Sequence, residues 1–356
     1  MGEPGAGRAV AVGMTHFGTL PDGTSASLYT LQNDVLRVCV TDYGARMVSI
    51  EAPDRDGARG HVLLGLEDAH AYAMSGGWFG AVLGRFANRV GGARFTLDGR
   101  EHVLPANEGV NTLHGGPHGF GMRTWTVREA GAAELALELV SEDGDSGYPG
   151  TMHVGARYLL RGDTLRLELE ARTDAATVVG LSAHPYFNLG GDPRRDVLSH
   201  EFEIPAERFV PVDGAQVPTG ELRAVAGTPF DFRVARTFAE GIYGTDPQLM
   251  PGRGYDHCFV VDGEAGAMRV AARVRDPRSG RTLEVRSTQP GIQVYSGNSL
   301  TGAVVGRGGV TLRQSSGFAL EPENFPDAPN QAGFPSAVLR PGERYFEVIE
   351  YGFGVA

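Results

Sequence analysis

A single carboxylate and two imidazoles stand in sequence surroundings that suit proton transfer. Glu321 lies between an apolar, strand-like run and a polar, proline-containing loop, within the segment Leu320 to Asn330. His114 is followed by two glycines, and His184 is followed by proline, tyrosine, phenylalanine and asparagine. A carboxylate that accepts a proton and an imidazole that donates one can together perform acid–base chemistry without a metal. Glu321, His184 and His114 are therefore candidate catalytic residues.

A second group of polar residues is suited to binding a ligand. The run Leu83 to Gly92 holds Arg85, Asn88 and Arg89 among glycines, and its donors suit a hydroxyl-rich or anionic ligand. A glycine-rich run without a following helix is not a phosphate-binding loop. Taken alone, the run is better explained as a solvated basic turn, so its role depends on what the rest of the chain places beside it.

Three further positions combine hydrogen bonding with aromatic surface. Tyr186 lies two residues beyond His184, and a ring beside hydrogen-bonding groups suits a sugar, although His184 alone is equally explained as a core histidine. Asp256 directly precedes an apolar strand, where it is either a ligand at a strand end or a turn residue. Gln293 shares a strand face with Tyr295, which indicates binding, but an outward glutamine on a packed strand fits as well.

Metal ligation is not expected. His114 and His118 are four residues apart, but the Gly-Gly-Pro between them prevents the helix that would align them, and neither HExxH nor paired CxxC occurs. The cysteines, Cys39 and Cys258, are too few for a disulfide framework and are predicted to be buried thiols. Such thiols agree with a reducing cytoplasm, which is the expected location.

The composition favours strands and argues against several classes of partner. The 356 residues are 41% hydrophobic and include 52 glycines and 21 prolines, which indicates a sizeable core and many tight turns. The net charge of −11 repels polyanions, so nucleic acid is not expected as a partner. No run approaches the length of a membrane span, about 18 apolar residues, and residues 1–10 do not resemble a secretory leader.

Period-2 alternation indicates the antiparallel strands that would position these residues. Leucines at 135, 137 and 139, and again at 165, 167 and 169, alternate with polar or small residues. Asp98-Gly99 predicts a tight hairpin, a second hairpin is expected around Pro277 to Gly280, and one short helix is predicted near Arg236 to Glu240. Because so few helices can cover the strands, we predict an all-β fold in which residues 1–356 form one large antiparallel sandwich domain.

The motifs, taken in order, resemble those of the aldose 1-epimerases, or galactose mutarotases. They extend from about Asp42 to the C-terminus and comprise GRFANRVGGARF from Gly84, NTLHGG from Asn111, DGDSGYPG from Asp143, HPYFNL from His184, YDHCF from Tyr255, GIQVYSGN from Gly291 and LEPENFPDAPN from Leu320. The resemblance implies a supersandwich of antiparallel strands, no cofactor, and interconversion of the α and β anomers of a free aldose such as glucose or galactose.

The resemblance also implies a role for each candidate residue. Glu321 would take the proton of the anomeric hydroxyl, His184 would protonate the ring oxygen, and His114 would stabilise the opening ring. The residues implied to hold the sugar hydroxyls are Asn88, Arg89, Tyr186, Asp256 and Gln293, with Arg85 as a further candidate. The implied partner is a small aldose, bound by a monomer or a homodimer.

The chain departs from the common pattern of this family at three positions. Ala183 stands where an asparagine is frequent, Gly121 where an aspartate is frequent, and Glu323 where a glutamine is frequent. None of these changes removes a predicted proton carrier, and Glu323 is expected to be solvated. The preferred aldose stays open, since pocket contacts of about 1 to 3 kcal/mol each decide such preferences.

Three other functions compete with the epimerase interpretation. A non-catalytic carbohydrate-binding module would keep the aromatic and polar residues but would not need both Glu321 and His184. A glycosidase would use Glu321 with a second carboxylate, for which Asp256 is the candidate. A hexose-6-phosphate 1-epimerase would bind phosphate through Arg85 and Arg89, whereas the NTLHGG and LEPENFPDAPN motifs favour an unphosphorylated sugar.

Overall fold

The computed structural model of the chain describes residues 13–356. Residues 1–10, which were not expected to be a secretory leader, lie outside the described part. Its largest sheet has nine antiparallel strands. In spatial order these strands are Thr126–Gly131, Glu134–Ser141, Met152–Arg161, Thr164–Thr173, Tyr345–Val355, Arg281–Ser287, Arg269–Arg275, Glu201–Glu203 and Arg236–Thr237. No helix within residues 13–356 is long and apolar enough to cross a membrane.

Two more sheets lie opposite the nine-stranded sheet. The six-stranded sheet consists, in spatial order, of Tyr186–Phe187, Phe318–Glu323, Gly291–Tyr295, Asp256–Val260, Arg208–Phe209 and Arg223–Ala224. The five-stranded sheet consists of Gly13–Thr19, Ser25–Gln32, Arg37–Thr41, Arg46–Pro53 and Arg59–His61. Side chains from all three sheets form one continuous buried cluster, among them Leu31, Val38, Leu137, Leu167, Val285, Ile292, Leu320 and Ile349. Sheets that share one core in this way form a sandwich, and the all-β prediction is confirmed.

Short ladders and helices connect these layers. The two-stranded ladders pair Val82–Leu83 with Ser182–Ala183, Arg89–Val90 with Thr112–Leu113, Arg94–Leu97 with Arg100–Val103, Thr177–Val178 with Val338–Leu339, and Thr301–Gly306 with Val310–Arg313. The α-helices are Ala69–Ser75 and Leu249–Gly252, and the 3-10 helices are Gly91–Ala93, Phe120–Met122, Asp145–Gly147, Phe238–Glu240, Arg307–Gly309 and Ala328–Asn330.

The alternation and turn predictions agree with the structure. Every second residue of Glu134–Ser141 and of Thr164–Thr173 packs into the core, while the residues between them are half-buried or exposed. The hairpin at Asp98-Gly99 joins a paired ladder, and both turn residues have positive φ, as a tight turn of this kind requires. Residues 276–280 connect two adjacent strands of the nine-stranded sheet. Cys39 and Cys258 are free and buried, as predicted.

The helix prediction was wrong in extent and missed a better helix. Arg236–Thr237 is an edge strand paired with residues 201–202, and only Phe238–Glu240 turns helically, as a 3-10 turn with a capping box from Thr237 to Glu240. Pairing with the sheet edge therefore overrode the local preference for a helix. The longest helix, Ala69–Ser75, begins after the capping carboxylate of Asp68 and ends at Gly76, and both signals were present in the sequence.

Candidate active site

The candidate site lies on the face of the six-stranded sheet that points away from the main core. Strand residues alternate between faces, so Leu320 enters the core while Glu321 faces the opposite side. The strand register places Gln293 directly between Glu321 and Cys258 on three neighbouring strands. Asp256 and Tyr295 form the next row on the same face. Three of the candidate positions, Glu321, Gln293 and Asp256, therefore converge because of period-2 alternation and register.

Glu321 and His184 form the floor of this site. The Nε2 atom of His184 lies 3.5 Å from Oε1 of Glu321, and both side chains are buried. The imidazole of His184 stacks on the ring of Tyr186, with 4.7 Å between ring centres and 15° between planes. The ring of Tyr186 fixes the plane of the imidazole. Glu321 and His184 are close enough to exchange a proton after a small movement of either side chain.

Burial moves the proton affinities of this pair in opposite directions. It lowers the pKa of His184 to about 4, although the charge of Asp256 acts the other way. It raises the pKa of Glu321 well above its ordinary value, and the charges of Glu323 and Asp256 add to the effect. Without a ligand, a proton shared by Glu321 and His184 therefore favours Glu321.

His114 is held as a neutral hydrogen-bond donor. Its Nδ1 accepts the backbone N–H of Asn88 at 3.0 Å, while its own backbone N–H donates to the Asn88 carbonyl at 3.0 Å. Burial and the neighbouring His184 lower the pKa of His114 well below its ordinary value, so the ring stays neutral. A neutral ring whose Nδ1 accepts must carry its proton on Nε2. That nitrogen is the donor available to a ligand in the cleft.

The same hydrogen bond argues against metal ligation. His114, His184 and Glu321 each offer a ligand atom, and these atoms lie within 4.8 Å of one another. A histidine that binds a metal through one ring nitrogen normally donates a proton from the other. His114 does the reverse, because Asn88 donates to its Nδ1 and the proton must sit on Nε2. The donor set therefore suits hydrogen bonding to a polar ligand better than it suits an ion.

Asp256 is held between two amide groups. Gln293 Nε2 donates to Oδ1 of Asp256 at 2.7 Å, and Gln216 Nε2 donates to Oδ2 at 2.6 Å. Arg89 Nη2 lies 3.9 Å from the same Oδ2. Gln293 does not line the cleft itself and acts on it through Asp256. Sequence reasoning missed Gln216, which lies 40 residues from Asp256 in an irregular segment with no motif to mark it.

Arg89 lines the cleft and is held by Glu108, a residue that sequence reasoning also missed. Glu108 binds it through two contacts, Nε to Oε2 at 2.7 Å and Nη2 to Oε1 at 2.8 Å. This forked pair fixes the guanidinium plane and leaves Nη1 with only a long contact of 3.5 Å to Asn88 Oδ1. Arg89 is thus positioned to offer a donor to a hydroxyl group rather than to neutralise an anion.

A cleft of about 400 Å³ opens above these residues. Its lining residues are Trp78, Asn88, Arg89, Glu108, Leu113, His114, His184, Tyr186, Gln216, Pro251, Gly252, Arg253, Asp256, Tyr295, Asn298, Ser299, Thr301 and Glu321. Trp78, which sequence reasoning did not single out, meets the ring of His114 edge-on at 4.7 Å. A large aromatic residue directly after two glycines was the available signal. The volume suits a ligand the size of a sugar.

Arg85 does not line this cleft. The residue is 2% exposed, and its guanidinium donates to Ser141, Glu142, Pro149 and Thr177 in five hydrogen bonds. All of these partners belong to segments behind the loop that carries Asn88 and Arg89. Arg85 is therefore a structural arginine, and the expectation that it contacts sugar or phosphate is not retained.

We expect Arg85→Met to destabilise the protein by about 3 to 5 kcal/mol, because several buried acceptors lose a charged donor at once. Denaturant unfolding would measure this loss, with Arg85→Lys as a variant that keeps the charge but not the forked geometry. If Arg85→Met kept wild-type stability but bound the ligand more weakly, Arg85 would have to be a ligand-binding residue after all.

The expectation that Glu323 is solvated was wrong. Its side chain is 0% exposed, and all six residues of Phe318–Glu323 are buried. The strand lies inside the sheet, and its second face is covered by Phe325 and the loop that carries Asn88. Asn88 Nδ2 donates to Oε1 of Glu323 at 2.9 Å. Glu323 is therefore a second buried carboxyl next to Glu321, two residues along the same strand face.

The fold and the site together define a class of protein: an antiparallel β-sandwich that places an acid–base pair under a cleft lined with hydrogen-bonding and aromatic groups. The sequence profile of the aldose 1-epimerase family matches residues 27–352. The chain belongs to the aldose 1-epimerase family, and the resemblance seen in its motifs is confirmed.

The relatives in this family match along nearly the whole chain. Galactose mutarotase from Bos taurus is 40% identical over 348 residues, which cover 98% of this chain and 100% of the relative. Aldose 1-epimerase from Escherichia coli K12 is 37% identical, covering 94% and 96%. Among solved structures, an aldose epimerase homologue from C. elegans superposes with a TM-score of 0.86 at 28% identity, covering 93% of this chain and 99% of that chain. Galactose 1-epimerase from Lactobacillus acidophilus NCFM gives a TM-score of 0.85 at 28% identity, covering 97% and 99%.

Proposed function

We propose that this protein interconverts the α and β anomers of a free aldose by acid–base ring opening and reclosure. Family membership supports the reaction, and the observation that carries the assignment of the site is the Glu321–His184 pair at the floor of the cleft. Opening a cyclic hemiacetal requires the removal of one proton and the donation of another at neighbouring oxygens. A carboxyl and an imidazole 3.5 Å apart meet this requirement.

The reaction begins with a shift of the proton inside the pair. In the empty site the proton favours Glu321, whereas ring opening needs Glu321 as carboxylate and His184 as imidazolium. Both arrangements have the same net charge, so a sugar whose hydroxyl donates to Glu321 stabilises the second one without any exchange with solvent. Binding of the substrate thus prepares the base and the acid together.

Ring opening then proceeds without a net change in protonation. Glu321 accepts the proton of the anomeric hydroxyl, the bond between the anomeric carbon and the ring oxygen breaks, and His184 gives its proton to that oxygen. The product is an open-chain aldehyde, whose terminal carbon rotates and is attacked by the same hydroxyl from the other face. Reversal of the two transfers closes the ring as the other anomer. His114 Nε2–H stabilises the oxygen that carries charge during opening.

The remaining contacts hold the sugar still while its anomeric end turns. Arg89 and Asp256 present a donor and an acceptor on one wall, and Asn88 stands beside Arg89. Tyr186 and Trp78 supply aromatic surface for the apolar faces of the sugar. Fixing the non-reacting hydroxyls confines the motion to one bond, which favours reclosure over release of the open chain.

The geometry disfavours the phosphorylated substrate and the glycosidase. Arg85 is buried away from the cleft, and Arg89 is paired with Glu108 beside Asp256, so neither arginine of the run Leu83 to Gly92 is free to bind a phosphate. Asp256 accepts hydrogen bonds from Gln293 and Gln216 on its two oxygens, which suits a fixed acceptor rather than a residue that exchanges protons. An unphosphorylated aldose is therefore the proposed substrate.

We also propose that residues 1–356 act as one domain. The main buried cluster contains residues from the five-, six- and nine-stranded sheets, and the site is assembled from loops of several of them. Limited proteolysis that yields a single resistant fragment would support this proposal, and two independently stable fragments would contradict it.

Polarimetry of freshly dissolved α-D-glucose and α-D-galactose tests the proposed reaction. The relaxation of optical rotation should accelerate well above the buffer rate, and the two rates would rank the sugars. Sugar binding in calorimetry without any acceleration would instead favour a carbohydrate-binding module. A parallel assay with hexose 6-phosphates should show weaker acceleration.

A plot of kcat/KM against pH should show a plateau that falls off on an acid limb and on an alkaline limb. As pH falls through about 4, the lowered pKa of His184, the pair gains a second proton and Glu321 no longer becomes a carboxylate, so kcat/KM falls. As pH rises through the raised pKa of Glu321, the pair loses its only proton and His184 has none to give. An acid limb at the ordinary histidine value of 6.5 would contradict this assignment.

A further inference from the structure

Glu323 is a buried carboxyl next to the site rather than a surface residue. It is fully buried and accepts one hydrogen bond, from Asn88 Nδ2 at 2.9 Å. Its second oxygen, Oε2, has no hydrogen-bond partner among residues 13–356. It does not line the cleft, so it does not touch a bound sugar. Nothing in the reaction proposed above uses this carboxyl.

The surroundings connect Glu323 to the proton-transfer pair. Alternation along Phe318–Glu323 puts it on the same face as Glu321, and its hydrogen-bond donor, Asn88, also donates its backbone N–H to His114. Several other titratable or charged groups lie near enough to interact electrostatically with Glu321 or Glu323. They are His184, Asp256, Arg89, Cys258, Tyr186, Tyr295, Tyr345 and Tyr351. Arg89 is the one cation whose charge acts on both carboxyls among the groups of the described chain, and Glu108 already pairs with it.

We propose that Glu323 is a positioning residue that acts through Glu321: its buried negative charge keeps one proton on the Glu321–His184 pair and sets the pH above which the enzyme stops working. The inference rests on the proposed role of Glu321 as the base. Glu323 does not contact the substrate and donates no proton to it.

The two carboxyls differ in which one loses its proton first. Glu323 accepts a hydrogen bond from Asn88, which stabilises its charged form, whereas the nearest donor to Glu321 is His184 at 3.5 Å. Burial raises the pKa of both carboxyls, but the Asn88 hydrogen bond opposes this rise at Glu323 alone, so Glu323 ionises before Glu321. Its charge then opposes a second ionisation on the same strand face, and Glu321 keeps its proton to higher pH. A pair that stays singly protonated is the form that ring opening requires.

Glu323→Gln tests the proposal, because the amide keeps the shape and the acceptor for Asn88 but carries no charge. The kcat/KM profile for α-D-glucose or α-D-galactose would be measured from about pH 3 to about pH 10 by polarimetry, so that both limbs are covered, with the uncatalysed rate subtracted at each pH. We expect the alkaline limb to move to lower pH by about one unit, which lowers activity above it roughly tenfold relative to the plateau. The acid limb, which belongs to His184, should stay in place.

Two further variants separate charge from structure. Glu323→Leu removes the charge and the acceptor, so its alkaline limb should move as in Glu323→Gln while KM rises through the loss of the Asn88 contact. Glu347→Gln neutralises another largely buried carboxyl, whose partners Thr288 and Arg269 lie outside the cleft, and should move neither limb.

The outcomes distinguish this inference from the proposed function. An alkaline limb of Glu323→Gln that coincides with that of the wild type, with normal circular dichroism and thermal unfolding, would overturn the role of Glu323. Loss of activity in Glu321→Gln together with such an unmoved limb would leave the epimerase proposal intact and reject only this inference. A wild-type protein without mutarotation would reject the function itself.

Discussion

Glu321→Gln should lower kcat by roughly 10³- to 10⁴-fold, because a glutamine retains the shape of the side chain but cannot accept the proton of the anomeric hydroxyl. The side chain is buried at the floor of the cleft, and its second oxygen, Oε2, has no hydrogen-bond partner within residues 13–356. An amide in this place resembles the protonated carboxyl of the empty site. The fold and the affinity for sugar should therefore survive the substitution.

The measurement combines polarimetry with calorimetry on the same preparation. The rate should fall to that of the buffer while the dissociation constant for sugar stays within a few-fold of the wild-type value. Glu347→Gln again serves as the matched control, since it neutralises a largely buried carboxyl outside the cleft and should keep full activity. Wild-type turnover in Glu321→Gln would remove Glu321 from the role of base.

His184→Asn is the second substitution with a large expected effect. We expect kcat to fall by roughly 10²- to 10³-fold, because asparagine cannot deliver a proton to the ring oxygen. The acid limb near pH 4 should disappear with the histidine that causes it. Polarimetry across the pH range measures both results, and they separate a lost proton donor from a general loss of folded protein.

His200→Asn is the control for burial. His200 is 2% exposed against 5% for His184, and burial lowers its pKa to about 4 as well, but it does not line the cleft. It should lose stability without losing turnover per folded molecule. If His184→Asn behaved in the same way, His184 would be a core histidine and the proposed acid would have to be sought elsewhere.

Local patterns predicted the parts of the molecule that depend on nearest neighbours. The alternating leucines of Glu134–Ser141 and Thr164–Thr173 indicate which face of each strand is buried. This pattern can be read from each strand's own sequence without knowledge of its neighbours. Asp98-Gly99 specifies its turn through the backbone angles that these residues tolerate. Glu321, His184 and His114 were found because each lies in a distinctive short segment, and the structure brings all three together.

The residues that sequence reasoning missed or misjudged depend on contacts between distant segments. Glu108 and Gln216 carry no motif and matter only because the fold sets them against Arg89 and Asp256. Arg85 and Arg89 look alike in the same glycine-rich run, yet one is directed into the structure behind the loop and the other toward the cleft. Glu323 was predicted to be exposed to solvent because charged side chains usually lie on the surface. Its burial becomes apparent only when both faces of its strand are seen to be packed.

The hydrogen bond that fixes the proton of His114 comes from the peptide backbone of residue 88 and not from a side chain. Any residue except proline supplies that N–H, provided it tolerates the φ of 62° found there, which asparagine and glycine do most readily. The position of the proton on His114 is thus independent of the side chain at residue 88, whereas the contacts that side chains make to the sugar are not. Sugar preference in such a scaffold can change over evolutionary time, or in directed evolution, while the reaction itself is inherited unchanged.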